Sequence, residues 1–327
     1  MSGGGMVGEP VVGARWSAAR RFAGYGAAST LSLYLLVKVI WVVAALFGHG
    51  AGETDLGTGE WVILNLATVG MAVVGIVLAL ALAQPWGRRI PAAPLVFAAW
   101  VGAGFLIPLI PFMLLSAILG GSGNGGTGGT GGGDTMPAWE RIFISIGFAG
   151  MAVGLVIALP ISMRERFPYA FLGRLGDSRS RPPRNPPAVR TAMAVSCALG
   201  VLWLSWAFGA TFALDPAHRD LLDRNARLLL ADWGAGALAA AWSVHLITRR
   251  RATRLLRWIP TAVAFATSGS LFAWNSWKLT MAVLSPGDYA TAEYPVVAVV
   301  EYVLAIGGGV TLKAALLRAQ RLGPPTP

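Results

Sequence analysis

The chain has 327 residues, of which 55% are hydrophobic and only 13% are charged, and its mean hydropathy is +0.61. A soluble domain usually carries about twice that share of charged residues, so the composition excludes an ordinary soluble protein. The net charge is +11, but the basic residues cluster at the ends of long apolar runs. There they indicate membrane topology and contact with anionic membrane lipid, and we expect no nucleic-acid partner.

Eight apolar runs are long enough to cross a bilayer, whose hydrocarbon core needs about 20 residues of helix. They predict an all-α, polytopic integral membrane protein. The predicted spans are 27–48, 61–83, 92–119, 140–163, 189–213, 227–247, 258–284 and 294–316.

The distribution of charge predicts the orientation of these spans. With the N-terminus inside the cell, the cytoplasmic segments and adjoining helix ends hold 20 of the 26 Lys and Arg residues but only three acids. The outer segments hold four Arg and ten acids. This asymmetry is typical of the positive-inside rule, so we expect a plasma-membrane protein with both termini in the cytoplasm.

The spans divide into two sets of four around a basic, proline-rich segment. This division predicts two transmembrane units, at 27–163 and 189–316, joined by a cytoplasmic linker at 164–188. It also predicts cytoplasmic tails at the N-terminus (1–26) and the C-terminus (317–327). The Gly-rich stretch 120–134 in the first unit predicts a flexible, disordered outer loop.

Each set has an even number of spans, so the two sets share an orientation, which suggests a parallel internal repeat. The "RRIP" ending at Pro91 and the "RWIP" ending at Pro260 both open the third span of their set. Short similarities of this kind favour a duplicated four-helix unit.

The segment "SWAFGATFAL" (205–214) resembles a stretch in the first helix of a small four-helix membrane family of unknown function, the DUF3995 family. The segment "KVIWVVAA" (38–45) is similar to a diverged copy of it. The resemblance covers about ten residues in each half. It implies a four-plus-four architecture and brings no activity or site residues.

Four ionisable residues lie well inside the predicted spans: Lys38, Asp232, Lys278 and Glu301. A charge at the bilayer centre costs about 2.5–3.5 kcal/mol on insertion scales, so each needs a partner or a function. We expect Lys278 and Glu301 to form an ion pair between the last two spans. Asp232 is then a second acid for Lys278 or a partner for Lys38.

Polar residues at helical spacing accompany both lysines. Tyr34 and Trp41 share a face of the first span with Lys38, and Trp274 and Asn275 share a face of the seventh span with Lys278. These eight residues form our predicted substrate-binding site, in the outer half of the bilayer between the two units, with Lys38 deeper. The alternative is interhelical hydrogen bonding or ion pairing without a ligand.

Proline and glycine residues predict local features of two further spans. Pro108 and Pro111 predict a break in the third span, because proline frees backbone carbonyls and bends a helix. Gly150 and Gly154 form a GxxxG pattern in the fourth span, which predicts close helix packing.

The sequence carries no recognisable catalytic or cofactor motif. The single cysteine and three histidines lack the spacing of metal or haem ligands, so we expect no metal and no cofactor. The favoured function is a permease-like carrier, or a transport accessory, for a small solute whose anionic group the lysines would hold. The alternatives are a membrane-embedded enzyme in which Glu301 is the acid that protonates a lipid or isoprenoid, and a scaffold without a ligand.

Overall fold

The computed structural model describes residues 13–48, 56–119, 137–167, 174–175, 186–249, 255–287 and 289–321. They form nine α-helices: α1 (Ala14–Leu46), α2 (Thr58–Ala83), α3 (Ala92–Leu106), α4 (Leu109–Ile118), α5 (Ala138–Arg166), α6 (Pro187–Ala207), α7 (Arg224–Arg249), α8 (Trp258–Leu284) and α9 (Pro295–Arg321).

Six helical segments in this described part of the chain are long and apolar enough to cross a membrane: α1, α2, the consecutive α3 and α4, α5, α6 and α9. The chain is therefore a helical, multi-pass membrane protein. Helices α7 and α8 coincide with the other two predicted spans, but their composition is less apolar.

Two helix boundaries differ clearly from the prediction. Helix α1 begins at Ala14, so the second half of the predicted N-terminal tail is helical, and α1 is about 50 Å long at 1.5 Å per residue. Helix α6 ends at Ala207, whereas the predicted span continues to 213. It ends there because Gly209 has a φ of +99°, a conformation that stops an α-helix.

Three predicted features fall wholly or mostly on residues outside the described ranges. They are the Gly-rich loop 120–134, most of the linker 164–188 and the end of the C-terminal tail.

The first unit is built around α1, which packs closely on both α2 and α5. Gly150 and Gly154 of α5 lie directly against Thr30 and Ala27 of α1, so that a Cβ on either glycine would overlap the neighbouring helix. The close packing predicted from the GxxxG pattern is confirmed.

The second unit is a ring of α6, α7, α8 and α9, in which each helix packs on the next and α9 closes the ring on α6. Gly200 of α6 meets Gly234 of α7 backbone to backbone, and Gly309 of α9 meets the backbone of α8. Small residues thus allow close approach between the helices of this unit as well.

The two units meet through α3. This helix packs more extensively on α8 than on α2 or α5, the helices of its own half. A Cβ on Gly104 would overlap the backbone of Gly269 in α8. The indole of Trp100 donates a hydrogen bond to Ser268 Oγ over 3.0 Å, and the indole of Trp274 donates to the Phe105 carbonyl over 3.2 Å.

The third predicted span is broken, as its prolines predict. Helix α3 ends at Leu106, Ile107 and Pro108 form a turn, and α4 begins at Leu109. Helix α4 then packs on α7 of the second unit.

Polar contacts lie at both ends of the bundle. At the predicted inner end, Glu165 of α5 accepts hydrogen bonds from Arg20 of α1 at 2.8 Å and from Arg88 at 3.1 Å. At the predicted outer end, the segments 209–223 and 289–294 pair through Leu214 and Glu293. In this outer cap the Ala217 N–H and the His218 side chain hold the pKa of Asp215 below its ordinary value.

Candidate functional site

A cavity of about 560 Å³ lies inside the first unit. Helices α1, α2, α3 and α5 surround it, and α8 closes one side through Trp274 and Trp277. Its volume falls within the range of about 300–1,000 Å³ that is typical of small-molecule sites.

The walls of the cavity are almost entirely apolar. The side chains that line it and carry a polar atom are Tyr34, Lys38, Trp41, Thr68, Trp274 and Trp277. The remaining lining residues are Leu31, Ala67, Gly70, Met71, Ala72, Val74, Gly75, Leu78, Phe97, Ala98, Val101, Gly102, Phe105, Leu106, Leu109, Ile144, Phe148 and Met151.

The exposure of the lining residues indicates that the cavity opens sideways between α2 and α3. Its back wall is buried, since Leu31 and Met151 are 4% and 0% exposed. The opposite lining residues also lie on the outer surface of the bundle, with Val74 of α2 56% exposed and Phe97 of α3 49% exposed. Because α2 and α3 make little contact with each other, the mouth faces the surface on which the apolar side chains of these helices are exposed.

Lys38 is the cation in the cavity wall, and it is only 3% exposed. Its ammonium group donates a hydrogen bond to Asn65 Oδ1 over 3.0 Å. It also lies 4.1 Å from the centre of the Trp41 ring and 5.7 Å from that of Tyr34. A buried ammonium is thus held by a neutral amide and two aromatic faces, which are favourable cation–π partners.

Asn65 is fixed by its own hydrogen bonds. Its Nδ2 donates to the Trp61 carbonyl over 2.9 Å, which leaves Oδ1 directed at Lys38. Asn65 itself is 1% exposed, one helical turn after Trp61 in the middle of an otherwise apolar stretch of α2.

Glu140 completes this group from the first turn of α5, where the helix N-terminus favours a negative charge. Its Oε2 accepts a hydrogen bond from Trp41 Nε1 over 2.9 Å. The ring of Trp41 therefore has Lys38 on its face and Glu140 at its edge. The Glu140 charge also acts on Lys38 through space, although the two are not within salt-bridge distance. We call Lys38, Trp41, Asn65 and Glu140 the Lys38 group.

Lys278 lies in the second unit and faces a different set of side chains. Its ammonium is 4.1 Å from the centre of the Trp233 ring and 5.3 Å from that of Tyr302. Within the described part of the chain it forms no salt bridge, so the predicted direct ion pair with Glu301 is wrong. The charge of Lys278 acts on Glu301 only through space, and its ammonium lies against the faces of Trp233 and Tyr302.

Glu301 is 2% exposed and has one hydrogen-bond donor, Trp203 Nε1, at 3.3 Å from its Oε2. Its Oε1 is buried without a partner. Asp232 is partly buried, and its Oδ2 likewise has no donor.

Asn275 lines a second, much smaller cavity of about 10 Å³, together with Trp203, Trp233, Gly236, Ala237, Thr267, Ser270 and Leu271. The Asn275 Oδ1 acceptor and the Trp233 Nε1 donor are both buried without partners. A space of this size with two polar partners fits one water molecule and nothing larger.

The eight predicted site residues therefore separate into three sets, of which Asn275 in the small cavity is one. Tyr34, Lys38, Trp41 and Trp274 line the large cavity, whereas Lys278, Glu301 and Asp232 line neither cavity described above. We expected a site between the two units, lined by Lys278, Glu301 and Asn275. The large cavity instead lies mainly within the first unit, with α8 of the second unit as one wall.

Two residues of the Lys38 group were missed in the sequence. Asn65 could have been found, since it is the one amide in the run "WVILNLATVG". Glu140 could not, because an acid near the start of a helix is common and the sequence gives no indication that it faces Trp41.

Comparison of the chain with protein-family models, curated proteins and solved structures finds no match. The resemblance of 205–214 to the DUF3995 family stays a prediction. The structure and chemistry of the cavity are therefore the basis for any assignment of function.

Proposed function

We propose that this protein is a membrane carrier that takes a lipophilic molecule directly from the bilayer into the first unit. The observation that supports the proposal is the 560 Å³ apolar cavity, which opens between α2 and α3 and has one cation in its wall. A water-soluble solute would have to cross hydrocarbon to reach such a mouth, and the cavity has few polar side chains that could replace its hydration shell. A lipophilic molecule is already in the hydrocarbon and has no such shell to lose.

The architecture that we propose has eight spans in the plasma membrane with both termini in the cytoplasm. Helices α7 and α8 contain 26 and 27 residues, which gives each a length of about 40 Å, more than the hydrocarbon core needs. Lys278, Asn275 and Asp232 lower the hydropathy of these two helices. They are at least partly buried among the helices of the second unit, so the less apolar composition is compatible with spanning.

A duplicated origin of the two units has additional support from their polar groups. In each unit a tryptophan of the first helix donates its indole N–H to a glutamate of the last helix, Trp41 to Glu140 and Trp203 to Glu301. The two pairs are separated by 99 and 98 residues. We infer that these are equivalent positions, and that packed side chains of the second unit fill the space that is open in the first.

The enzyme alternative, with Glu301 as an acid, stays a prediction without further support. Glu301 lines neither cavity, and the space near its partner Trp203 fits one water molecule only. The scaffold alternative gives no reason for a large opening beside a buried lysine, since packing alone favours filled interiors.

The test is to fill the cavity with a side chain. Gly102 of α3 lines the cavity, and a Cβ on it would make only ordinary contacts, the nearest with Leu78 at 3.5 Å. Gly102→Leu therefore adds its bulk to the open space. Binding is measured as quenching of tryptophan fluorescence by the methyl ester of 16-doxylstearic acid, because Trp41, Trp274 and Trp277 line the cavity.

We expect the unmodified protein to bind this probe saturably and Gly102→Leu to lose at least tenfold in affinity. Gly307→Leu is the matched control, since Gly307 lies in α9 on the exposed surface with nothing within 4 Å. Absence of saturable binding, or equal binding by both variants, would show that the cavity is not a ligand site.

A further inference from the structure

We infer that the Lys38 end of the cavity recognises an uncharged head group with an acceptor oxygen, such as the carbonyl of an ester, ketone or quinone, or a hydroxyl. The ligand would then be a neutral lipid and not the anion that the lysines suggested in the sequence. This inference rests on the proposed function and concerns the same cavity.

The first step concerns the donors that Lys38 offers. Its ammonium has three N–H groups, and one of them is used by Asn65 Oδ1. The aromatic faces of Trp41 and Tyr34 accept no conventional hydrogen bond. Because Lys38 also lines the cavity, it can direct a charge-assisted donor at a ligand oxygen.

The second step concerns the net charge of the Lys38 group. Glu140, which is 9% exposed, already supplies one negative charge, on the far edge of the ring that Lys38 lies against. Among the described residues that line the cavity, Lys38 is the only charged one. An anionic head group would leave the site with a net charge of −1 inside an apolar wall, which is costly. An uncharged oxygen gains the hydrogen bond without that cost.

The third step concerns the length of the apolar part. The lining residues of α1 extend from Trp41 to Leu31, and those of α2 extend from Ala67 to Leu78. Ten or eleven residues of helix correspond to about 15 Å. The far end is formed by Leu31, Leu78 and Met151, which offer no polar partner. Lys38 lies seven residues from Leu31, or about 10 Å. The geometry therefore fits one polar end at Lys38 and an apolar body that extends about 10 Å from it to the far end of the cavity.

The experiment compares two probes that differ only in the head group, 16-doxylstearic acid in its ionised form and its methyl ester. Quenching of tryptophan fluorescence is measured in detergent micelles for the full chain. We expect the ester to bind about tenfold more tightly than the ionised acid. We expect Lys38→Met to weaken ester binding by about tenfold, since one charge-assisted hydrogen bond is lost.

Glu140→Gln is the decisive variant, because it removes the balancing charge and keeps a hydrogen-bond acceptor for Trp41. We expect it to reverse the preference, so that the ionised acid binds more tightly than the ester. Lys313→Met is the matched lysine control. Lys313 also lies over a tryptophan, 4.0 Å from the centre of the Trp100 ring, but is not among the residues that line the cavity.

The outcomes separate this inference from the proposed function. Tighter binding of the ionised acid by the unmodified protein would overturn the assignment of a neutral head group and leave the carrier intact. If Glu140→Gln still bound the ester more tightly than the ionised acid, the assignment of a neutral head group would be overturned as well. This test does not depend on whether Lys38→Met folds. Loss of all saturable binding would instead contradict the proposed function.

Discussion

At the residue scale, the buried Lys38 is stabilised by neutral groups, with its balancing charge one ring away. Placing a lone charge in a membrane helix costs about 2.5–3.5 kcal/mol on insertion scales. One charge-assisted hydrogen bond and one cation–π contact together stabilise the charge by a comparable amount. The lysine is therefore tolerated and adds little to stability. The proposed ligand gives this lysine a role that its small effect on stability does not.

Because the cost of burying Lys38 and the stabilisation by its contacts nearly cancel, we expect the two single variants of a double-mutant cycle between Lys38 and Asn65 to differ in stability. Lys38→Met should change the free energy of unfolding by no more than about 1 kcal/mol, because the cost of burial and the contacts disappear together. Asn65→Leu alone should lower it by about 3 kcal/mol, because the ammonium stays buried without its acceptor. The double variant should recover most of that loss.

The cycle is measured by thermal unfolding of the purified protein in detergent, with Lys313→Met as the control. A large destabilisation by Lys38→Met, as great as that of Asn65→Leu, would mean that Lys38 is a structural residue. The ligand assignment would then lose its main argument.

At the element scale, the helices were largely predictable and their partners were not. Helix α8 has the bounds predicted from hydropathy, and the break in the third span follows from Pro108. The early start of α1 was missed because Arg15, Arg20 and Arg21 are polar, although Arg20 is buried against Glu165. Hydropathy reports burial in lipid and carries no information about burial against another helix.

The contact between Gly104 and Gly269 is one that hydropathy could not reveal, and it predicts a severe effect of small substitutions. Gly104→Val should destabilise the protein by about 3 kcal/mol or more, since two backbones would have to separate. Gly307→Val is the control, because that glycine has no neighbour within 4 Å. Thermal unfolding in detergent is the measurement, and equal stability of the two variants would contradict this account of the contact.

At the scale of the whole molecule, the membrane class and the location of Lys38 inside a span followed from the sequence, and the position of the cavity did not. Long apolar runs and an isolated charge are properties of one segment each. The cavity is lined by five helices of the first unit, of which α4 contributes only Leu109, and by one helix of the second unit. The contact of Trp41 with Glu140 joins residues 99 positions apart. Such pairings depend on helix rotation, which a single sequence does not specify.

The eight-span topology predicts that Asp220 and Leu256 lie on opposite sides of the membrane, because α7 lies between them. With the single cysteine removed by Cys197→Ala, Asp220→Cys should react with a membrane-impermeant maleimide in intact cells. Leu256→Cys should react only after permeabilisation. Both positions are exposed in the structure, so failure to react would not result from burial. Labelling of both in intact cells would mean that α7 does not cross.

The way α3 packs has a consequence for how the cavity fills and empties. One side of the mouth, α2, is attached to the first unit, and the other side, α3, is attached mainly to α8 of the second. Besides the two tryptophan hydrogen bonds, α3 and α8 meet at Gly104 and Gly269 through backbone alone, with no side chains between them. Under the proposed function, the width of the mouth would therefore depend on the tilt between the two units. Exchange of the bound molecule would then be timed by that tilt and not by the mobility of any loop.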